Sequence, residues 1–208
     1  MRHLKIYYLF ILLNIFSISC QNEEAKIYIA KIEQQRSEKN REYSDSLKSP
    51  LNPIHLKIFN GLDYFDIDPD FCVEGTFEQT PEEKPFVMAT STDRAPTYRK
   101  YGNFHFTLKN KEFTLGAFQD IDYIDDTAYN QYLFLPFQDL TSAKESYGGG
   151  RYIDILIPKT KKITVDFNLA YNPYCAYDDR WSCVIPPPEN FLNIKILAGE
   201  KKFHLATH

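Results

Sequence analysis

The chain has 208 residues, of which 43% are hydrophobic, 25% charged and 15% aromatic, with 24 basic and 28 acidic side chains. That mixture excludes a disordered chain, a collagen-like repeat and a multi-pass membrane protein, and sets one globular domain as the expectation. Many Tyr (15) and Phe (16) against few Met (2) and Gly (8) favour strands over a helical bundle.

Residues 1–20 carry an address. Arg2 and Lys5 form a basic start, Ile6 to Phe16 is an apolar run of eleven, and Ser17-Ile18-Ser19 precedes Cys20. Eleven helical residues span about 16 Å, half a bilayer core, which is too short for a good transmembrane anchor. The segment reads as a signal peptide. The small residue before Cys20 and the switch to QNEEAK after it resemble a bacterial lipobox, with Ser17 where Leu is usual. Cys20 is therefore expected to become a lipidated N-terminus, with plain secretion or an uncleaved anchor as the alternatives. An acylated cysteine holds a soluble domain on a membrane without a spanning helix, which predicts a cell-envelope location with the domain outside the cytoplasm. Removing Arg2 and Lys5 lowers the basic count from 24 to 22 against 28 acids, so the net charge moves from −4 to −6. No basic stripe remains for phosphates, so nucleic acid is not an expected partner. The membrane is, through lipid on Cys20; no feature sets an oligomeric state.

Residues 21–50 form a charged helix and linker. Glu23 to Tyr43 lacks Gly and Pro and spaces Ala25, Tyr28, Ile29 and Ile32 helically, while QQRSEKNREY has almost no apolar face and suits a solvated stalk. Pro50 and Pro53 are expected to break the helix.

Residues 51–208 are expected to be a β-rich domain. Short β-branched or aromatic runs recur at Phe71–Phe77, Phe86–Thr90, Tyr98–Leu108, Glu112–Phe118, Tyr132–Phe137, Arg151–Ile157, Ile163–Asn168 and Leu192–Leu197. Phe104, Phe106 and Leu108 alternate, as do Phe113 and Leu115, so this pair predicts a hairpin joined by Lys109-Asn110-Lys111. No strand-helix-strand repeat argues for parallel pairing. The fold class is mainly β: an antiparallel β-sandwich or partly open barrel with an N-terminal helix.

Catalytic signatures such as G-x-S-x-G, H-E-x-x-H, a Walker loop and G-x-G-x-x-G are absent. Thr141-Ser142-Ala143-Lys144 has only the outline of an S-x-x-K motif. The clusters Asp66, Asp68, Asp70 and Asp120, Asp122, Asp125, Asp126 lack the Gly and terminal Glu of a calcium loop and read as solvated loops. Neither a metal nor a cofactor is expected. His105 is expected to face solvent.

The C-terminal half concentrates specific residues in loops. Gly148-Gly149-Gly150 before a strand allows either an anion-binding nest flanked by Lys144 and Arg151, or a bulge at the strand's start. Asn172-Pro173 initiates a turn. Cys175 and Cys183 are eight apart, which in an envelope compartment predicts a disulfide, with paired thiolate ligands as the competing reading. Cys72 is expected to be a buried thiol. Pro186-Pro187-Pro188 favours a polyproline rod that presents Glu189 and Asn190.

The segments SYGGGRYIDILIP, DFNLAYNPYCAY and CVIPPPENFLNIKILAGE resemble the bacterial family of domain of unknown function 1684, with looser similarity back to Ala25. The resemblance implies a single domain, often lipid-anchored, without an established activity. Its motif positions include Lys144, Tyr147, Gly149, Gly150, Arg151, Tyr152, Asp166, Asn168, Tyr171, Asn172, Cys175, Cys183, Glu189 and Asn190. Family members without a signal peptide keep both cysteines, and a reducing compartment leaves such a pair as thiols.

The expected function is a binding module for a small polar or anionic ligand. Arg151 would hold an anion bidentately with Lys144 adding charge; Tyr147, Tyr152 and Tyr171 would form walls, and Gly149, Gly150, Asn168, Asn172, Glu189 and Asn190 would line the site. The alternatives are a hydrolase or transferase on a glycan or ester, pairing Glu189 with Asp139, Asp154 or Asp166 as acid and base, and a structural domain whose motifs only lock the fold.

Overall fold

A computed structural model describes the backbone of residues 2–204 and the side chains of residues 23–204. The chain divides into two units, Met1–Lys39 and Asn40–His208. Helix α1 (Arg2–Ser44) accounts for the first; Cys20 and its proposed lipid lie outside the described side chains. The last turn of α1 is fastened within the second unit. Asn40 Oδ1 accepts from the Leu62 amide at 2.9 Å, and Tyr43 meets the ring of Tyr177 edge-on at 5.2 Å. The prolines do not end the helix: α1 stops at Ser44, six residues before Pro50, where Asp45 accepts from the Leu47 amide in a turn, and Pro53 instead opens a new helix. Asn52 caps a short second helix, α2 (Pro53–Ile58), by accepting from the amides of Ile54 and His55, and proline suits the first helical position because it has no amide to leave unpaired.

The strands are β1 (Cys72–Gln79), β2 (Phe86–Val87), β3 (Thr97–Leu108), β4 (Lys111–Asp120), β5 (Tyr132–Asp139), β6 (Arg151–Leu156), β7 (Lys162–Asp166) and β8 (Phe191–Leu192). They are ordered β6-β5-β4-β3-β1-β7, with β2 pairing β3 and β8 lying parallel to β5. Every other pairing is antiparallel. The predicted hairpin is β3–β4, with a tighter turn than expected: Leu108 pairs with Lys111, and Lys109 and Asn110 both take positive φ, 48° and 61°. Positive φ at both central residues gives the two-residue turn whose twist matches that of the strands.

Strands β6 and β7 lie at opposite ends of the order, yet only residues 157–161 join them. A flat path of six strands would part them by about 24 Å, whereas the linker reaches roughly 20 Å. The sheet is accordingly curled into a half-barrel, the partly open barrel of the two expected forms.

A bulge between Lys100 and Gly102 lets β3 serve both faces. Beyond it Phe104 and Phe106 join Leu115, Leu135, Phe137 and Phe167 in the main core, whereas before it Tyr98 joins Phe118, Tyr152, Val184 and Met88 in an outer cluster. His105 points away from the core and is 42% exposed, bonded to Thr114 and Glu78. Cys72 is half-buried rather than buried. Strand β8 stops at Leu192 instead of Leu197. The amide of Ile196 and the carbonyls of Ile196 and Ala198 are taken by the side chains of Asp139 and Arg151, leaving no ladder for a strand to join.

Candidate functional site

Most polar residues singled out in the C-terminal half are fasteners inside the domain. Arg151 is 1% exposed. Its guanidinium donates to the carbonyls of Ala198, Ile196 (2.9 Å) and Glu200 (3.3 Å), and to Asp139 Oδ1 at 3.3 Å. The rings of Phe65 and Phe137 stand 5.6 and 5.3 Å from it. Burial pushes the Arg151 pKa down while Asp139 opposes that shift. An anion from solvent has no route to this group, which corrects the expected anion site.

The asparagines act similarly, each standing in for backbone. Asn190, fully buried, accepts from the Gly116 amide at 2.7 Å and donates to the carbonyls of Gly116 and Pro136 at 2.9 and 2.7 Å. Asn168 makes the same reciprocal pair with the Asp68 backbone, at 3.0 and 2.8 Å. Asn172 donates through its amide to Glu200 at 2.7 Å and through its side chain to the Lys201 carbonyl at 2.8 Å. None of the three presents a ligand-binding side chain. Asp166 caps the single turn Phe167–Leu169 by accepting from the Asn168 amide, and Glu189 pairs with Lys100 at 3.8 Å on the surface. The two carboxylates thus have different partners, Lys100 for Glu189 and the Asn168 amide for Asp166.

Gly150 marks a tight strand start rather than a nest. Its φ is +92°, its amide donates to the Tyr147 carbonyl at 3.2 Å, and a Cβ there would sit 2.6 Å from the Phe137 carbonyl. Lys144 is exposed. Tyr147 turns its hydroxyl onto Cys175 Sγ at 3.6 Å. Cys175 and Cys183 are free thiols, not the expected disulfide; the Cys175 amide donates to Cys183 Sγ at 3.0 Å.

An open cleft with several titratable side chains lies on the outer face, across β3 to β6. A cleft of about 420 Å³ is floored by Phe118, Leu133 and Phe134 and rimmed by Tyr98, Tyr123, Tyr129 and Tyr132, with Asp120 and Asp154 in its walls. The register explains the arrangement. Phe118 pairs with Phe134, and Phe134 with Asp154, in one row across three strands. Asp120 follows two residues along β4, so sheet spacing sets the two aspartate Cα atoms roughly 12 Å apart, on opposite walls. Tyr123 and Tyr129 pack 5.7 Å apart at the rim. Asp154 accepts from the Tyr171 hydroxyl at 2.7 Å, the link between this cleft and the residues expected from the sequence. Tyr152, buried beneath, donates to the Val184 carbonyl. Burial raises the Asp120 pKa, against the lowering effect of the Asp122 amide and Tyr98; burial, and then Asp120 itself, raises that of Tyr98.

Of the residues lining the cleft, only Asp154 is a candidate read from the sequence, as one member of a carboxylate pair. The signal for the others is the interleaving of Tyr123, Tyr129 and Tyr132 with Asp120 and Asp122, in a segment too polar for a core and too aromatic for an ordinary solvated loop.

Among solved structures, the solution NMR structure of an uncharacterized protein from Haloarcula marismortui is 36% identical, with a TM-score of 0.66 over 86% of this chain and 96% of that one. No curated protein matches. The family model for a protein of unknown function, DUF1684, matches residues 57–201, a span that takes in β1 to β8, the cleft and every fastener. The chain belongs to the DUF1684 family.

Proposed function

We propose that the chain is a binding module for a small polar ligand, held at a membrane of the cell envelope by lipid on Cys20, and that the ligand sits in the tyrosine-rimmed cleft. One observation carries the reading: aromatic walls and two carboxylates share one open cleft of about 420 Å³, within the size range of small-molecule sites. The chemistry favours a donor-rich ligand. Carboxylates only accept hydrogen bonds, tyrosine rings offer flat faces to a sugar ring or a cation, and no basic side chain lines the cleft. An amine or a polyhydroxylated ring fits; an anion does not. The tether rests on the Cys20 lipobox, and among the described residues no helix is long and apolar enough to cross a membrane.

Titration calorimetry with choline, putrescine, neutral hexoses and inorganic phosphate tests the cleft. Saturable binding of an amine or a hexose, weakened at least tenfold by Tyr132→Ala and by Asp154→Asn, is the expected outcome. Phosphate as the sole ligand, or binding indifferent to both substitutions, overturns the reading. Intact-mass analysis of protein from membranes tests the tether: an acyl mass on Cys20, lost in Cys20→Ala, is expected.

A second reading has one observation in its favour. Asp120 is held toward its protonated form by burial while Asp154 accepts a hydrogen bond, the asymmetry an acid/base pair needs. Turnover of chromogenic glycosides or esters, abolished in Asp120→Asn, would move the proposal from binding to hydrolysis.

A further inference from the structure

The residues around Cys175 form a constellation that the cleft does not use. Cys175 is half-exposed and Cys183 is buried beside it, 7% exposed. The Tyr147 hydroxyl donates to the Cys175 sulfur at 3.6 Å, and the Cys183 sulfur accepts from the Cys175 amide, which ties the two cysteines together. The surroundings hold each in place. A Cβ on Gly149 would sit 2.4 Å from the Tyr147 ring, so only glycine lets that ring lie where its hydroxyl reaches the sulfur. Cys183 is pinned by its amide donating to Ser91 Oγ at 3.1 Å and its carbonyl accepting from the Ser91 amide at 2.8 Å. Its sulfur stays 3.0 Å from the Cys175 amide, so the two cysteines lie side by side. A buried packing thiol needs none of this, whereas a thiolate does, because hydrogen bonds to the charged form favour it.

We propose that Cys175 is a peroxide-reactive thiol and Cys183 its resolving partner. The Cys175 thiolate attacks one peroxide oxygen, the O–O bond breaks, and hydroxide leaves with a proton drawn from solvent, giving a sulfenic acid and water. The Cys183 sulfur then attacks the Cys175 sulfur, displacing the sulfenic oxygen as a second water and closing the disulfide. Two thiols lose two electrons and two protons, and one peroxide becomes two waters.

The groups facing the pair agree with the order of attack. The Cys183 thiol, then Tyr147 and Ser91, bring the Cys175 pKa down against burial. The same hydrogen bond and burial push that of Cys183 up, with Arg94 opposing weakly. Tyr152 also faces both sulfurs, and its hydroxyl is pushed up, chiefly by burial.

The test uses the purified full chain, reduced and then treated with one equivalent of hydrogen peroxide in the presence of dimedone, with peptide mapping. Wild type is expected to lose two hydrogens between the Cys175 and Cys183 peptides and to take little dimedone. Cys183→Ser is expected to accumulate the dimedone adduct on Cys175. Reduced wild type that forms no Cys175–Cys183 disulfide, or a Cys183→Ser protein that carries no adduct, overturns the proposal. Iodoacetamide kinetics on unaltered protein give a readout independent of mutant folding. Because nucleophilicity falls with pKa, the rate at pH 7 should exceed that of glutathione only a few-fold; the discriminating result is a Cys175 pH profile that levels off below the free-thiol range of about 8.5. A profile still rising through that range also overturns it.

Discussion

Two polar regions of this domain have opposite fates. Around Arg151, a guanidinium, the Asp139 carboxylate and backbone carbonyls are shut inside and bond one another, with the Arg151 Nε alone of the guanidinium nitrogens lacking a partner. In the cleft between Tyr98 and Asp154, tyrosines and carboxylates line an open surface. The first region contains the dense sequence motifs, the second contains none. Specific residues at fixed spacing mark where geometry is demanding, and sealing a charge is as demanding as binding a ligand. A buried pair needs many hydrogen bonds to offset desolvation, so the two terminal nitrogens of Arg151 are shared among Asp139, Thr141, Ile196, Ala198 and Glu200. A cleft demands less, because water satisfies its groups until a ligand arrives.

Substitutions should separate the two regions sharply. Arg151→Ala leaves Asp139 charged and unpaired by any cation in the core, and is expected to cost about 3 to 5 kcal/mol, read as a collapse of the urea midpoint or as loss of folded protein. A milder result would mean that solvent already reaches the pair. Next in size is Asn190→Ala, which strips partners from the Gly116 amide and the Gly116 and Pro136 carbonyls. Buried unsatisfied backbone costs about 1 to 3 kcal/mol, measured by the same melt, with ligand binding unchanged in the fraction that folds.

The cleft responds to pH in a smaller way. Burial raises the Asp120 pKa above its ordinary 3.8, so the folded state holds this proton more tightly than the unfolded chain does. Its contribution to stability is complete below 3.8 and declines as pH rises through the shifted value. Asp120→Asn should remove that decline, gaining on wild type as pH rises above 3.8 in urea titrations; an identical pH slope in both proteins would show that Asp120 is solvated. The smallest stability effect belongs to Tyr132→Ala. Tyr132 is 48% exposed, and its loss should move stability by less than about 0.5 kcal/mol while reducing ligand affinity, the reverse of Arg151→Ala.

The strands were legible because their signal is local: alternation in Phe104, Phe106 and Leu108 needs no knowledge of partners. The tightness of the β3–β4 turn was hidden, since neither Lys109 nor Asn110 announces positive φ as strongly as glycine does. The half-barrel was half visible in the five-residue β6–β7 link, which acquires meaning only once those strands are known to be sheet edges. For the site the misreading had one cause. Arg151 beside three glycines has the composition of an anion site, and whether solvent reaches it depends on residues 45 to 49 positions away that cover it.

By itself, then, the sequence determined the family, the β-rich class with its N-terminal helix, the hairpin, and the positions where something exacting happens. The tertiary structure alone decided what that was. Burial is fixed by long-range partners such as Asn190 with Gly116, 74 residues apart, and burial converts the same arginine or asparagine from a ligand contact into a fastener. The converse holds for the cleft: Phe118, Phe134 and Asp154 become one row only when three strands align them, because sheet register, not chain order, brings their side chains to one face.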